Sequence, residues 1–72
     1  MTLYDYLTTV YPLKFPVRVR SLGSGATSIP KGVYADVLGM EQCYINLLFD
    51  GKDKPDRIII LGTVSTDLEV IE

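Results

Sequence analysis

The sequence predicts an α+β fold, mostly β: a short N-terminal helix packed on a small antiparallel sheet of five strands, curled or partly closed into a barrel. Three observations lead there. Helical spacing of apolar residues occurs once, at Leu3, Tyr6, Leu7 and Val10. From Phe15 onward the apolar period is two. The segments showing that period are short and separated by Gly, Pro and Asp.

The helix is expected over residues 2–11. Thr2 and Asp5 have the capping-box spacing, and the acid falls in the first turn, where the helix dipole favours it. Pro12 stops it, because the residue before a proline avoids helical angles. A helix this short must pack on something to persist. Phe15, Val17 and Val19 then alternate with Pro16, Arg18 and Arg20, giving a strand with its arginines on the open face. Pro16 cannot donate to a ladder, so that strand begins there or lies at an edge.

A loop over residues 21–32 follows. Val33, Ala35 and Val37 alternate with Tyr34, Asp36 and Leu38 in a second strand, and Gly39 to Gln42 suits a tight turn. Cys43 to Phe49 is apolar on both faces except at Asn46, as in a central strand. Asp50-Gly51 signals a hairpin, but Pro55 and the alternating charges favour a longer loop through Asp56. Arg57 to Leu61 is a β-branched fourth strand expected to be buried on both faces. Gly62 to Thr66 breaks or bulges it, and Leu68 to Ile71 forms the last strand. Small SH3-like barrels have this economy of elements; the likeness is one of architecture, with no family motif behind it.

Seventy-two residues make one domain, 1–72, and a chain of that size buries only about 60% of its unfolded surface. Cys43 is the only cysteine and histidine is absent, which excludes an internal disulfide and leaves no structural zinc set. An apolar content of 47% and a mean hydropathy of +0.22 point to self-association, so a homo-oligomer is expected. No apolar run reaches the roughly 20 residues that span a bilayer, and the first residues do not read as a signal peptide. No membrane association is expected, and a lone cysteine fits a reducing cytoplasm.

A net charge of −2 and a pI near 4.9 argue against an extended nucleic-acid partner. The distribution is more telling. Residues 12–31 carry Lys14, Arg18, Arg20 and Lys31 and no acid, whereas residues 32–72 carry eight acids and three bases. Such a cationic island selects for a compact anion or an acidic protein patch.

That island frames Ser21-Leu-Gly-Ser-Gly-Ala-Thr-Ser-Ile-Pro30. In the functional reading, Gly23 and Gly25 let backbone amides turn toward a phosphate while Ser24, Thr27 and Ser28 donate hydroxyls. Arg18 and Arg20 share a strand face suited to bidentate contact with phosphate oxygens, and Lys31 closes the far side. Tyr34 offers a ring for stacking. The plain reading is a flexible connector with solvated arginines. No Gly-Lys-Ser/Thr ending makes a P-loop, and no helix follows to make a dinucleotide fingerprint. Ser28-Ile-Pro-Lys31 matches a Ser-x-x-Lys pattern, but a strand follows where that pattern needs a helix.

Catalysis is not expected. Cys43 lacks a histidine and reads as a small hydrophobe within an apolar strand. Asp36 and Glu41 have no partner acid for acid–base work, and the spacing of Asp50, Asp53 and Asp56 is not that of a calcium loop. No cofactor motif is present. Tyr4, Tyr6, Tyr11, Tyr34 and Tyr44 make up five of seven aromatic residues, which suits base stacking and protein hot spots; the plain reading has them rim a small core.

The expected function is therefore non-catalytic binding: sequestration of a small anionic, nucleotide-like molecule by the cationic Gly/Ser/Thr loop, at a subunit seam. The alternative is a protein-binding inhibitor or adaptor that uses a strand edge or the tyrosine-bearing helix flank. Compact acidic chains are common in phage and mobile elements, where they often block host defence machinery, and the alternative takes its direction from that association. A purely structural subunit is the third reading.

Overall fold

A computed structural model describes residues 1–24, 29–59 and 62–71. The elements run α1 (Leu3–Thr9), β1 (Val17–Ser21), β2 (Tyr34–Glu41), β3 (Tyr44–Phe49), β4 (Asp56–Ile59), α2 (Gly62–Thr66) and β5 (Leu68–Val70). The strands form one antiparallel sheet in the order β4-β3-β2-β1-β5. The ladder is open, and closure into a barrel has no hydrogen bonds among the described residues to carry it.

The capping box sets the start of α1. The Asp5 amide donates to Thr2 Oγ1 at 3.1 Å, and the Thr2 amide donates to Asp5 Oδ2 at 3.3 Å. Leu3 is fully buried, and Tyr6 and Leu7 pack beside it against the core. The Tyr6 hydroxyl donates to the Lys14 carbonyl at 2.7 Å, tying the segment after the helix back onto it.

Alternation decides which face of the sheet is buried. Val17 and Val19 of β1, Ala35 and Val37 of β2, Ile45 and Leu47 of β3 and Leu68 of β5 join Leu3 in one apolar cluster. Arg18, Arg20, Tyr34 and Asp36 point the other way, onto a face that neither helix covers.

Four expectations are corrected. The turn between β2 and β3 is Gln42-Cys43, flanked by the Glu41–Tyr44 pair, with Gln42 at φ +48° as two-residue hairpins require. Gly39 lies inside β2, where the register shifts after Val37 and leaves Leu38 as the extra residue of a bulge. Cys43 is consequently an exposed turn residue, not a core hydrophobe. The fourth strand is an edge strand and largely exposed, because among the described residues no strand lies beyond it and neither helix covers its outer face. Residues Gly62–Thr66, read as a break or bulge, form the short helix α2, which packs against α1 on the buried side. Residues 60 and 61 of the expected fourth strand lie outside the described residues.

The two edges of the sheet differ. Beyond β5, Thr2 bridges Glu69 and the Val70 amide donates to the Met1 carbonyl at 2.8 Å. Beyond β4 no strand pairs among the described residues. Among them also, no helix is long and apolar enough to cross a membrane.

Leu3 is the side chain through which α1 reaches the core. Leu3→Ala is expected to cost about 2–5 kcal/mol through lost burial and the cavity left behind. That is a large share of the roughly 4–11 kcal/mol typical of a chain this size. Urea denaturation measures it, and a loss below about 1 kcal/mol would show that α1 is not anchored by this residue.

Candidate functional site

The expected site splits into two parts. Arg18, Arg20 and Tyr34 lie together on the uncovered face. Gly23, Ser24 and Lys31 lie beyond the end of β1, and Gly25, Thr27 and Ser28 fall outside the described residues.

The arginines are already engaged. Strand register places Arg18 opposite Asp36 and Arg20 opposite Glu69. The first turn residue after β3, Asp50, is held over the same face by its amide, which donates to the Tyr34 carbonyl at 3.1 Å. Arg18 donates to both Asp50 oxygens, Nη1 to Oδ1 at 2.7 Å and Nη2 to Oδ2 at 2.6 Å, and Nη1 also reaches Asp36 Oδ1 at 3.3 Å. This is the two-pronged arrangement in which an arginine would take a phosphate. Here a carboxylate of the same chain fills it. Arg20 Nη2 donates to Glu69 Oε1 at 2.6 Å.

Electrostatics follow from that geometry. Arg18 is raised above its ordinary value chiefly by the hydrogen bond to Asp50, and Asp50 is lowered chiefly by the same bond. Arg20 is raised by hydrogen bonding to Tyr34 first and then to Glu69. Both cations are neutralised locally, so the excess positive charge of residues 12–31 does not persist as a field on this face.

The loop spends its own donors in the same way. Ser21 is buried; its hydroxyl donates to the Ile29 carbonyl at 3.3 Å and accepts from the Gly23 amide at 3.3 Å. The Ser24 amide donates to Oδ1 of buried Asp67 at 2.8 Å, and the Leu22 amide donates to the Asp67 carbonyl at 2.8 Å. Of the described loop amides, that of Ser24 meets the carboxylate of Asp67, and that of Gly23 is taken by the Ser21 hydroxyl. Gly23 has a packing reason besides: its φ is +64°, and a Cβ there would lie 2.4 Å from Lys31 Cβ. Lys31 is exposed and makes no ion pair among the described residues.

Sequence reasoning missed the carboxylates that answer the arginines, since opposition across strands depends on register. It also missed a second stack, in which the Arg57 guanidinium lies 4.2 Å from the centre of the Tyr44 ring with Glu41 at 3.5 Å. Arg18 makes a similar approach to Tyr34 at 5.2 Å. Between these groups the face presents Leu38, Leu48 and Ile59. Among the described residues no cluster of three or more His, Cys, Asp or Glu is arranged to hold a metal ion. Comparison with protein-family models, curated proteins and solved structures finds no match to this chain.

Asp50 titrates below its ordinary range in the folded chain, so the stability it contributes is present above the unfolded value of about 3.9 and is lost as pH falls through the folded one. Urea midpoints of the wild type are expected to fall as pH drops below about 4, with part of that slope missing in Asp50→Asn. Equal slopes in the two proteins would remove the pair from any account of stability. Gly23→Ala is expected to cost about 1–3 kcal/mol from backbone strain and overlap with Lys31; thermal unfolding at wild-type temperature would refute the close approach.

Proposed function

We propose that this protein is a non-catalytic binding module that docks an acceptor protein on the uncovered face of its sheet, as an inhibitor or adaptor. The make-up of that face carries the reading. Tyr34, Leu38 and Ile59 remain 38%, 42% and 46% exposed, with Tyr44 and Leu48 half-buried beside them. Tyrosine and arginine are the residue types that dominate protein hot spots. Here they are fixed before any partner arrives, Arg57 over Tyr44 and Arg18 by Asp50 and Asp36. Side chains already held lose little entropy on binding. The fitting acceptor has an apolar patch with both signs of charge around it, able to bond the outer atoms of these pairs.

Capture of a small anion is the second reading. Lys31, free of ion pairs among the described residues, and the left-handed Gly23 favour it. Arg18 and Arg20 do not, since a phosphate would have to displace Asp50 and Glu69 from contacts of 2.6 Å. Protein docking also agrees with a sheet that is open rather than closed, and we expect a reducing cytoplasm, in which the exposed Cys43 would stay a thiol.

A photoreactive residue placed at Leu38, or at Tyr4 on α1 as the control, tests the face directly in an extract of the native cells. The expected result is one protein adduct from position 38 and none from position 4, with native mass spectra free of small-molecule mass. Equal labelling from both positions would end the docking reading. A bound mass of a few hundred daltons that vanishes in Arg18→Ala/Arg20→Ala would install anion capture in its place.

A further inference from the structure

Of the two sheet edges only β4 lacks a neighbour among the described residues, the β5 edge being occupied by Met1 and Thr2. Backbone donors and acceptors along a free edge form a template for another strand. We infer that the occupant is β4 of a second copy of this chain, paired antiparallel across a two-fold axis at Ile58.

Register singles out that axis. In antiparallel pairing about an axis normal to the sheet, opposed residues share a face, so each residue of β4 meets one of the same parity. Arg57 and Ile59 lie on the uncovered face, cross-strand from Asn46 and Tyr44, while Ile58 lies on the core face opposite Ile45. An axis at Asp56 opposes two aspartates, and an axis at Arg57 opposes two arginines, both unfavourable for like charges. An axis at Ile59 avoids that clash but pairs only Ile59 with itself within Asp56–Ile59, whereas one at Ile58 engages residues 57–59. An axis at Ile58 opposes Ile58 to Ile58 over the core side, which completes the cover of a half-buried side chain. On the other face it sets Arg57 of each copy against Ile59 of its mate.

The same geometry limits the assembly to two. Pro55 precedes the strand and cannot donate to a ladder, so pairing does not extend back into the loop. Once the β4 edges meet, the remaining edges are the β5 edges that Met1 and Thr2 occupy. The product is a continuous sheet of two copies with both uncovered faces on one side. This inference rests on the edge and its register, independently of what docks on the face.

Two substitutions of opposite sign at one exposed position test it by sedimentation equilibrium on the full chain. Ile59→Glu places an acid opposite Arg57 of the mate, twice by symmetry, and is expected to tighten the dimer roughly two- to thirty-fold. Ile59→Lys opposes two cations and is expected to loosen it by a similar factor. A wild type that stays monomeric to millimolar concentration would overturn the proposal. Shifts of the same sign in both variants, or growth beyond dimers, would do so equally; loss of folding affects both variants alike and cannot imitate opposite shifts.

Discussion

Two helices of seven and five residues face a sheet of five strands, and they cover one side of it. Among the described residues no further element lies over the other side. That face must nevertheless meet water while carrying the strand residues that β-structure favours. Its composition follows from the constraint: charged groups are set opposite one another, and aromatic rings are overlaid by guanidinium groups. Arg18 lies between Asp36 and Asp50, Arg20 beside Glu69, and Arg57 over Tyr44. Surface pairs of this kind add little stability one at a time. Their larger effect is to cap apolar neighbours with polar groups that are already satisfied.

What could be read from the residues was whatever depends on local period. The capping box at Thr2 and Asp5, the alternation of Val17 and Val19 with Arg18 and Arg20, and the five-strand count rest on nearest neighbours in the chain. The errors share a different origin. Gly39 was legible as a backbone irregularity, but whether glycine turns the chain or bulges a strand depends on the partner strand. The isoleucines after Arg57 looked like a buried run, yet burial of a strand depends on what lies beyond it, and β4 is last in the sheet. The pairing of the candidate site's arginines was hidden for the same reason. A cation-rich, acid-free stretch promises an external anion only if no carboxylate lies across the ladder, and Asp36 and Glu69 are 18 and 49 residues away in sequence.

The loop after β1 makes the point at a second place. Glycine and hydroxyl residues near cations suggested backbone amides turned toward an external anion, and one described amide of the loop, that of Ser24, does meet a negative group. The negative group is internal. Asp67, buried at the start of β5, takes the Ser24 amide on its side chain and the Leu22 amide on its carbonyl. A buried carboxylate is tolerable only when hydrogen-bonded. Its need for donors therefore gives the loop a structural task, joining the end of β1 to the start of β5, before any ligand is invoked.

Thr2 connects these layers. Its side chain caps α1 through Asp5, while its backbone bridges Glu69 at the β5 edge. Glu69 in turn holds Arg20 on the uncovered face. The N-terminal residues thus fix the helix that shields one side, close one edge of the sheet and set the residue that neutralises a cation on the other side. With that edge closed, β4 is the strand edge that no other strand pairs among the described residues. Among the described residues one face of the sheet and the β4 edge have no covering element, and an apolar content of 47% is in keeping with the docking and pairing proposed for them.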